Sequence, residues 1–109
     1  MPSLDSFHAD CEEVERLTFE ISHLIDEFDI AQVEHHMSRR QMLMEQLAAY
    51  VETDLSDEFR TPFVNLLSIV AKQDAIDKQK CELLRDEYKD KLATQFKNNK
   101  AIKHYKSVK

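Results

Sequence analysis

The tetrapeptide Glu20-Ile21-Ser22-His23 sets a carboxylate and an imidazole three residues apart, a spacing that puts both on one side of a helix. Di-iron helical bundles use that spacing in two copies, joined by two further inward carboxylates. This chain holds one copy, and the apolar neighbours Leu17, Ile21 and Leu24 claim the buried side, leaving Glu20 and His23 toward the rim. His35 and His36 precede Ser38-Arg39-Arg40, which invites comparison with a phosphoacceptor histidine followed by a basic residue and then a small one. The small residue that would make room for a phosphoryl group is missing, since Gln41 and Met42 stand nearby instead. Two surface histidines on a helix are the ordinary reading. No Cys/His pair, Ser/His/Asp arrangement or glycine-rich phosphate loop can be assembled. The expectation is a protein that is not an enzyme and carries no metal and no cofactor.

Two further groups of reactive types have structural explanations. Cys11 and Cys81 both fall on apolar helical stripes, where a reduced thiol behaves as a small hydrophobe. Asp74 and Asp77 interrupt the main stripe of the third predicted helix. Buried without partners they would be costly, so that stretch either faces solvent or meets a basic group from a neighbouring helix or a partner.

The elements that position these groups are long helices. With no glycine and only Pro2 and Pro62 in 109 residues, the chain has no natural residue for tight turns that need positive φ. Phe7, Cys11, Val14, Leu17, Ile21, Leu24, Ile25 and Phe28 recur at steps of three and four and predict a helix over about 4–27, capped by Ser3 or Asp5. Ile30, Val33, Met37, Met44, Leu47, Ala48 and Val51 predict a second over 30–53, capped by Asp29. Thr61 as cap, with Pro62 at the first helical position, predicts a third over 61–97, its stripe being Phe63, Leu66, Leu67, Val70, Cys81, Leu84, Tyr88 and Leu92. Asn98 and Asn99 stop it, and a short C-terminal segment follows at about 99–107. The expected fold is all-α, one domain: an antiparallel bundle of three long helices with a short C-terminal helical segment.

The pattern holds more apolar surface than one stripe per helix requires. At about 100° per residue, Ile69, Ile76 and Leu83 lie off the main stripe of the third helix in a second row spaced by seven. Leu43 and Tyr50 lie outside the stripe of the second, and Met42 on yet another side. Either the third helix is central and packs on two neighbours, or a face is left for another helix. On the second reading the partner surface is Leu67, Ile69, Val70, Ile76 and Leu83 with Met42 and Leu43.

Charge narrows the partner class. The chain is net −6, and residues 89–109 carry seven lysines against Asp90 alone, so a +6 tail leaves −12 on residues 1–88. An acidic body repels phosphates, which disfavours nucleic acid as the main partner. The tail either keeps the end soluble, folds back on the acidic body or meets an acidic partner. No run of apolar residues is long enough for a membrane span, and MPSLDSFHAD lacks the pattern of a signal peptide, so the expected location is the cytoplasm and no membrane contact is expected.

The order of features, DEFDIAQVEHHMSRRQMLMEQL, then KQDAIDKQKCELLRDEYKDKL, then a KAIKHY end, resembles the FliT family of flagellar type III export chaperones over about residues 10–106. The positions that carry the likeness are the aromatic-Asp break Phe28-Asp29, a mid-helix arginine at Arg39 or Arg40, and the Ala101 to Tyr105 signature. The resemblance implies cytoplasmic escort of the filament-cap protein through its C-terminal helix, and contact with the export ATPase apparatus. It also implies a C-terminal gate, formed here by Ala101, Ile102 and Tyr105, held over the client surface. The sequence departs from the family in the Pro62 stretch and in having four residues after Tyr105. Two other readings stand beside it: a coiled-coil adaptor that self-associates, as a homodimer for example, through the second row, and a histidine phosphotransfer module.

Overall fold

A computed structural model describes residues 3–54, 56–84 and 90. Those residues form three α-helices, α1 (Leu4–Asp26), α2 (Ile30–Thr53) and α3 (Asp57–Glu82), packed as an all-α bundle. α1 and α2 run antiparallel, as do α2 and α3, so α1 and α3 are parallel. Their common direction is fixed by Phe7 stacking edge-on against Phe59 at one end, with ring centroids 4.9 Å apart, and by Lys80 pairing with Asp26 at 2.9 Å at the other. α1 is the central helix: it packs along both α2 and α3, which meet each other far less. The expectation that α3 would be central if it packed on two neighbours is therefore replaced by α1 in that place.

Each helix begins where the local chemistry provides acceptors. The Ser3 side chain accepts from the Ser6 amide (3.1 Å) and the Asp29 carboxylate from the Gln32 amide (3.2 Å), satisfying amides that have no intrahelical partner. α3 starts at Asp57, four residues before the expected 61, and Pro62 lies inside the helix rather than at its first position. Two causes are visible. Asp57 and Glu58 place negative charge in the first turn, where the helix dipole favours it. Phe59 packs on the core beside Phe7, so apolar burial draws the DEFR stretch into the helix despite the ring of Pro62, which removes one amide donor from the second turn. α3 closes at Glu82, short of the expected 97, with Leu83 N–H donating to Lys80 O and Leu84 N–H to Cys81 O, both at 3.1 Å. The expected segment at 99–107, with Ala101, Ile102 and Tyr105, lies outside the described residues.

The apolar interior is in two parts. One gathers Phe7, Val14, Met44, Leu47, Ala48, Phe63, Leu66, Leu67 and Val70; the other gathers Ile21, Ile25, Val33, Met37 and Cys81. Between them, beside Leu17, lie the buried polar residues Thr18 of α1, Arg40 of α2 and Asp77 of α3.

The α1–α2 link is the tightest piece of backbone. Asp29 N–H donates to Leu24 O and Phe28 N–H to Ile25 O, both at 3.1 Å, which is the paired bonding of a Schellman helix end. Its left-handed position is normally glycine, yet here it is Phe28 at φ 60°. A Cβ in that region costs about 1–2 kcal/mol, and the bulk of a β-branched residue adds to it. In thermal unfolding, Phe28→Gly should therefore be more stable than Phe28→Val by at least about 1 kcal/mol; equal melting temperatures would mean that the turn relaxes to another conformation.

Candidate functional site

The polar layer is built by gaps in two apolar stripes. On α2 the run Val33, Met37, Met44, Leu47 leaves position 40 on the buried side, and Arg40 occupies it with 1% of its surface exposed. On α3 the run Phe63, Val70, Cys81 leaves positions 74 and 77, filled by Asp74 and Asp77. Arg40 Nη1 and Nη2 donate to Asp74 Oδ1 and Oδ2 at 3.0 and 2.9 Å, a two-pronged pair that ties α2 to α3. Arg40 Nη1 also donates to Thr18 Oγ1 (3.3 Å), and the Thr18 hydroxyl donates to Val14 O (2.8 Å), so the same guanidinium reaches the central helix. Of the two arginines offered as the mid-helix feature, Arg40 is this buried one. Arg39 is exposed and pairs loosely with Glu13 at 3.4 Å.

One turn further along, Asp77 has no exposed surface. Gln73 Nε2 donates to its Oδ1 (3.1 Å) and Lys80 Nζ stands 3.8 Å from the same oxygen, while Oδ2 meets no hydrogen-bond donor. Ser22 of α1 binds the group to the central helix: its hydroxyl oxygen accepts from Gln73 (3.2 Å) and Lys80 (2.9 Å), and its carbonyl accepts from Lys80 (3.0 Å). Burial pushes the Asp77 carboxyl above the ordinary range, against the pull of Ser22, Gln73 and Lys80, with Asp74 adding to the rise.

The sequence motifs separate. Glu20 bonds Arg16 and, at 3.0 Å, the Nε2 of His36, whereas His23 is exposed and pairs with Glu27 at 3.3 Å, so the E-x-x-H residues go to different partners. Arg16 also holds Glu13 (2.7 Å), which lowers the Glu13 carboxyl, and this exposed chain laces α1 to α2. His36 is fixed by Glu20 and by the Gln32 carbonyl (2.9 Å), while His35 faces solvent. Among the described residues no three His, Cys, Asp or Glu side chains converge as a metal site. Cys11 and Cys81 are free, and burial raises each thiol to about 11, away from the thiolate form.

The predicted partner surface does not form as one face. Leu67 and Val70 are core residues, a correction to their expected place on an open surface: the α3 stripe that carries them points at α1 and α2. Leu43 is partly buried against the same cluster, and Met42, though exposed, is on the side of α2 turned away from the core. What remains open is the α3 row: Ile69 partly buried, Ile76 54% exposed and Leu83 87% exposed. The sequence reading missed Phe19, 50% exposed on α1, because the Leu17–Ile21 stripe drew attention to the opposite side.

Comparison of the chain with protein-family models, with curated proteins and with solved structures gave no match.

Two outcomes are expected for the polar layer. Arg40→Ala should cost about 3 kcal/mol in chemical unfolding because it strands Asp74, while the double change Arg40→Met, Asp74→Leu should cost far less; equal losses would mean that the pair itself is the stabiliser. For Asp77 the folded state binds its proton more tightly than the unfolded state does, so its contribution is most favourable below the unfolded carboxyl range and is lost as pH rises through the raised value. The stability of Asp77→Asn minus that of the natural protein should thus grow with pH, in melts taken from about pH 4 to pH 7. A difference that is flat or falls with pH would contradict the burial effect.

Proposed function

We propose that this chain is an export chaperone of the flagellar type III kind, which binds the C-terminal helix of the filament-cap protein in the cytoplasm and presents it to the export ATPase apparatus. The observation that supports the reading is the uncovered apolar row of α3, because Leu83 and Ile76 stand mostly in water although a leucine-sized side chain gains about 1.5–3 kcal/mol by burial. The family likeness of the Phe28-Asp29 break and of the mid-helix arginine supports the choice of client, and the row supports this face as its dock. Spacing by seven along one helix suits a helical client, whose own anchors recur at the same interval. No helix among the described residues is long and apolar enough to cross a membrane.

The client surface is accordingly Ile69, Ile76 and Leu83, without Leu67 and Val70. Ala101, Ile102 and Tyr105 act in this proposal as a gate that competes for the row, a population shift that needs only a few kcal/mol. The same row would also serve a self-associating adaptor, and one pair of measurements separates the two readings. Titrating the C-terminal helical region of the cap protein into the full chain by calorimetry should show binding that Ile76→Ser, Leu83→Ser weakens by at least about tenfold, the variant keeping its helical circular dichroism. Unchanged affinity would remove the row from the client surface. A concentration-dependent dimer mass, abolished by the same double variant and with no client binding, would transfer the row to self-association.

A further inference from the structure

The α3 row has a neighbour on α1. Ser22 meets both Gln73 and Lys80, and Lys80 meets Asp26, so residues 19–26 of α1 lie alongside residues 73–80 of α3. Ile76 falls between Gln73 and Lys80 along α3, and Phe19 lies three residues before Ser22 along α1. Both are exposed, whereas the core-facing sides of the two helices are buried, so Phe19 and Ile76 stand on the solvent side of one seam. Ile69, one heptad before Ile76, extends the apolar strip along it.

The two edges of this strip differ in charge. Glu12, exposed, and Glu15, partly buried, lie on the α3-facing flank of α1, seven and four residues before Phe19, and neither has an ion-pair partner among the described residues. Glu13 and Glu20, on the α2 flank of the helix, are already engaged by Arg16, Arg39 and His36. Lys72 gives the α3 edge the opposite sign. An apolar strip with unpaired carboxylates along one edge is complementary to a helix with an apolar stripe and cations on one flank.

We propose that the outward α1–α3 seam, with Phe19, Ile69 and Ile76 as its floor and Glu12 and Glu15 as its α1 edge, docks an amphipathic partner helix whose Lys or Arg residues ride over α1. This rests on the reading of the α3 row as a client surface and adds to it the α1 half and the charge of the client.

Two labelled synthetic helical peptides with the same leucine row, one bearing lysine and the other glutamate on one flank, with glutamine on the other, test it by fluorescence anisotropy. The lysine peptide should bind the full chain about tenfold more tightly at low salt, the preference shrinking as salt is raised. Glu12→Gln, Glu15→Gln should erase most of that preference, and Phe19→Ser should weaken both peptides. Equal binding of the two peptides, binding of neither, or full binding by Phe19→Ser overturns the proposal. Dimerisation that Phe19→Ser abolishes would assign the seam to a second copy and overturn it too. With the cap-protein fragment, loss of binding in the α3 variants but not in Phe19→Ser keeps the α3 row and removes the α1 half. Binding that survives the α3 variants removes the row, and the seam with it, from the client surface, whereas no binding of the fragment by the natural chain removes the functional reading instead.

Discussion

Everything in this bundle is arranged around one guanidinium that water does not reach. Arg40 is an arginine at a core position, and its charge is tolerable only because Asp74 meets it with both oxygens and Thr18 takes a further donor. Three helices are thereby held at one level. A slip of α3 by a turn along α2 would bury the arginine opposite Val70 or Asp77 instead, with the two-pronged geometry lost, so the pair opposes such a slip. The second acid, Asp77, extends the layer to Ser22 and Lys80 with one oxygen left unserved, which is the stressed point of an otherwise matched network.

That layer explains why the core is divided. Apolar side chains fill above and below it, with the larger cluster toward Phe7, Phe59 and Phe63 and the smaller toward Ile25, Val33 and Cys81. Because α1 is the helix that both others pack upon, its buried side is covered across a wide arc, while α2 and α3 each retain an open flank. The surplus apolar residues of α3 fall on one such flank. Met42, on the back of α2, is too far round that helix to join them, so the open surface belongs to α3 and α1 rather than to α3 and α2.

Phe28 shows the same trade at the backbone level. The paired carbonyl bonds that end α1 require a left-handed residue, and a chain without glycine supplies an aromatic there, half exposed and held at φ 60°. The three-residue link then lets α2 start at once from the Asp29 cap and return along α1, which places Arg40 opposite Thr18.

From periodicity alone came three helices, two of their starts, and most of the interior, because spacing of three and four directly reports the face a helix must hide. The stripe gaps at Asp74 and Asp77 were visible in the same pattern, and they left two outcomes, solvent or a basic partner; that Arg40 would meet Asp74 did not follow, since that depends on the register of helices distant in sequence. Nor could local pattern place the start of α3, which Phe59 draws forward by packing on Phe7 across more than fifty residues of chain. Which apolar rows stay open was likewise a tertiary matter: one helix carries several rows, and only the positions of its neighbours decide that Leu67 and Val70 are covered while Ile76 and Leu83 are left to water.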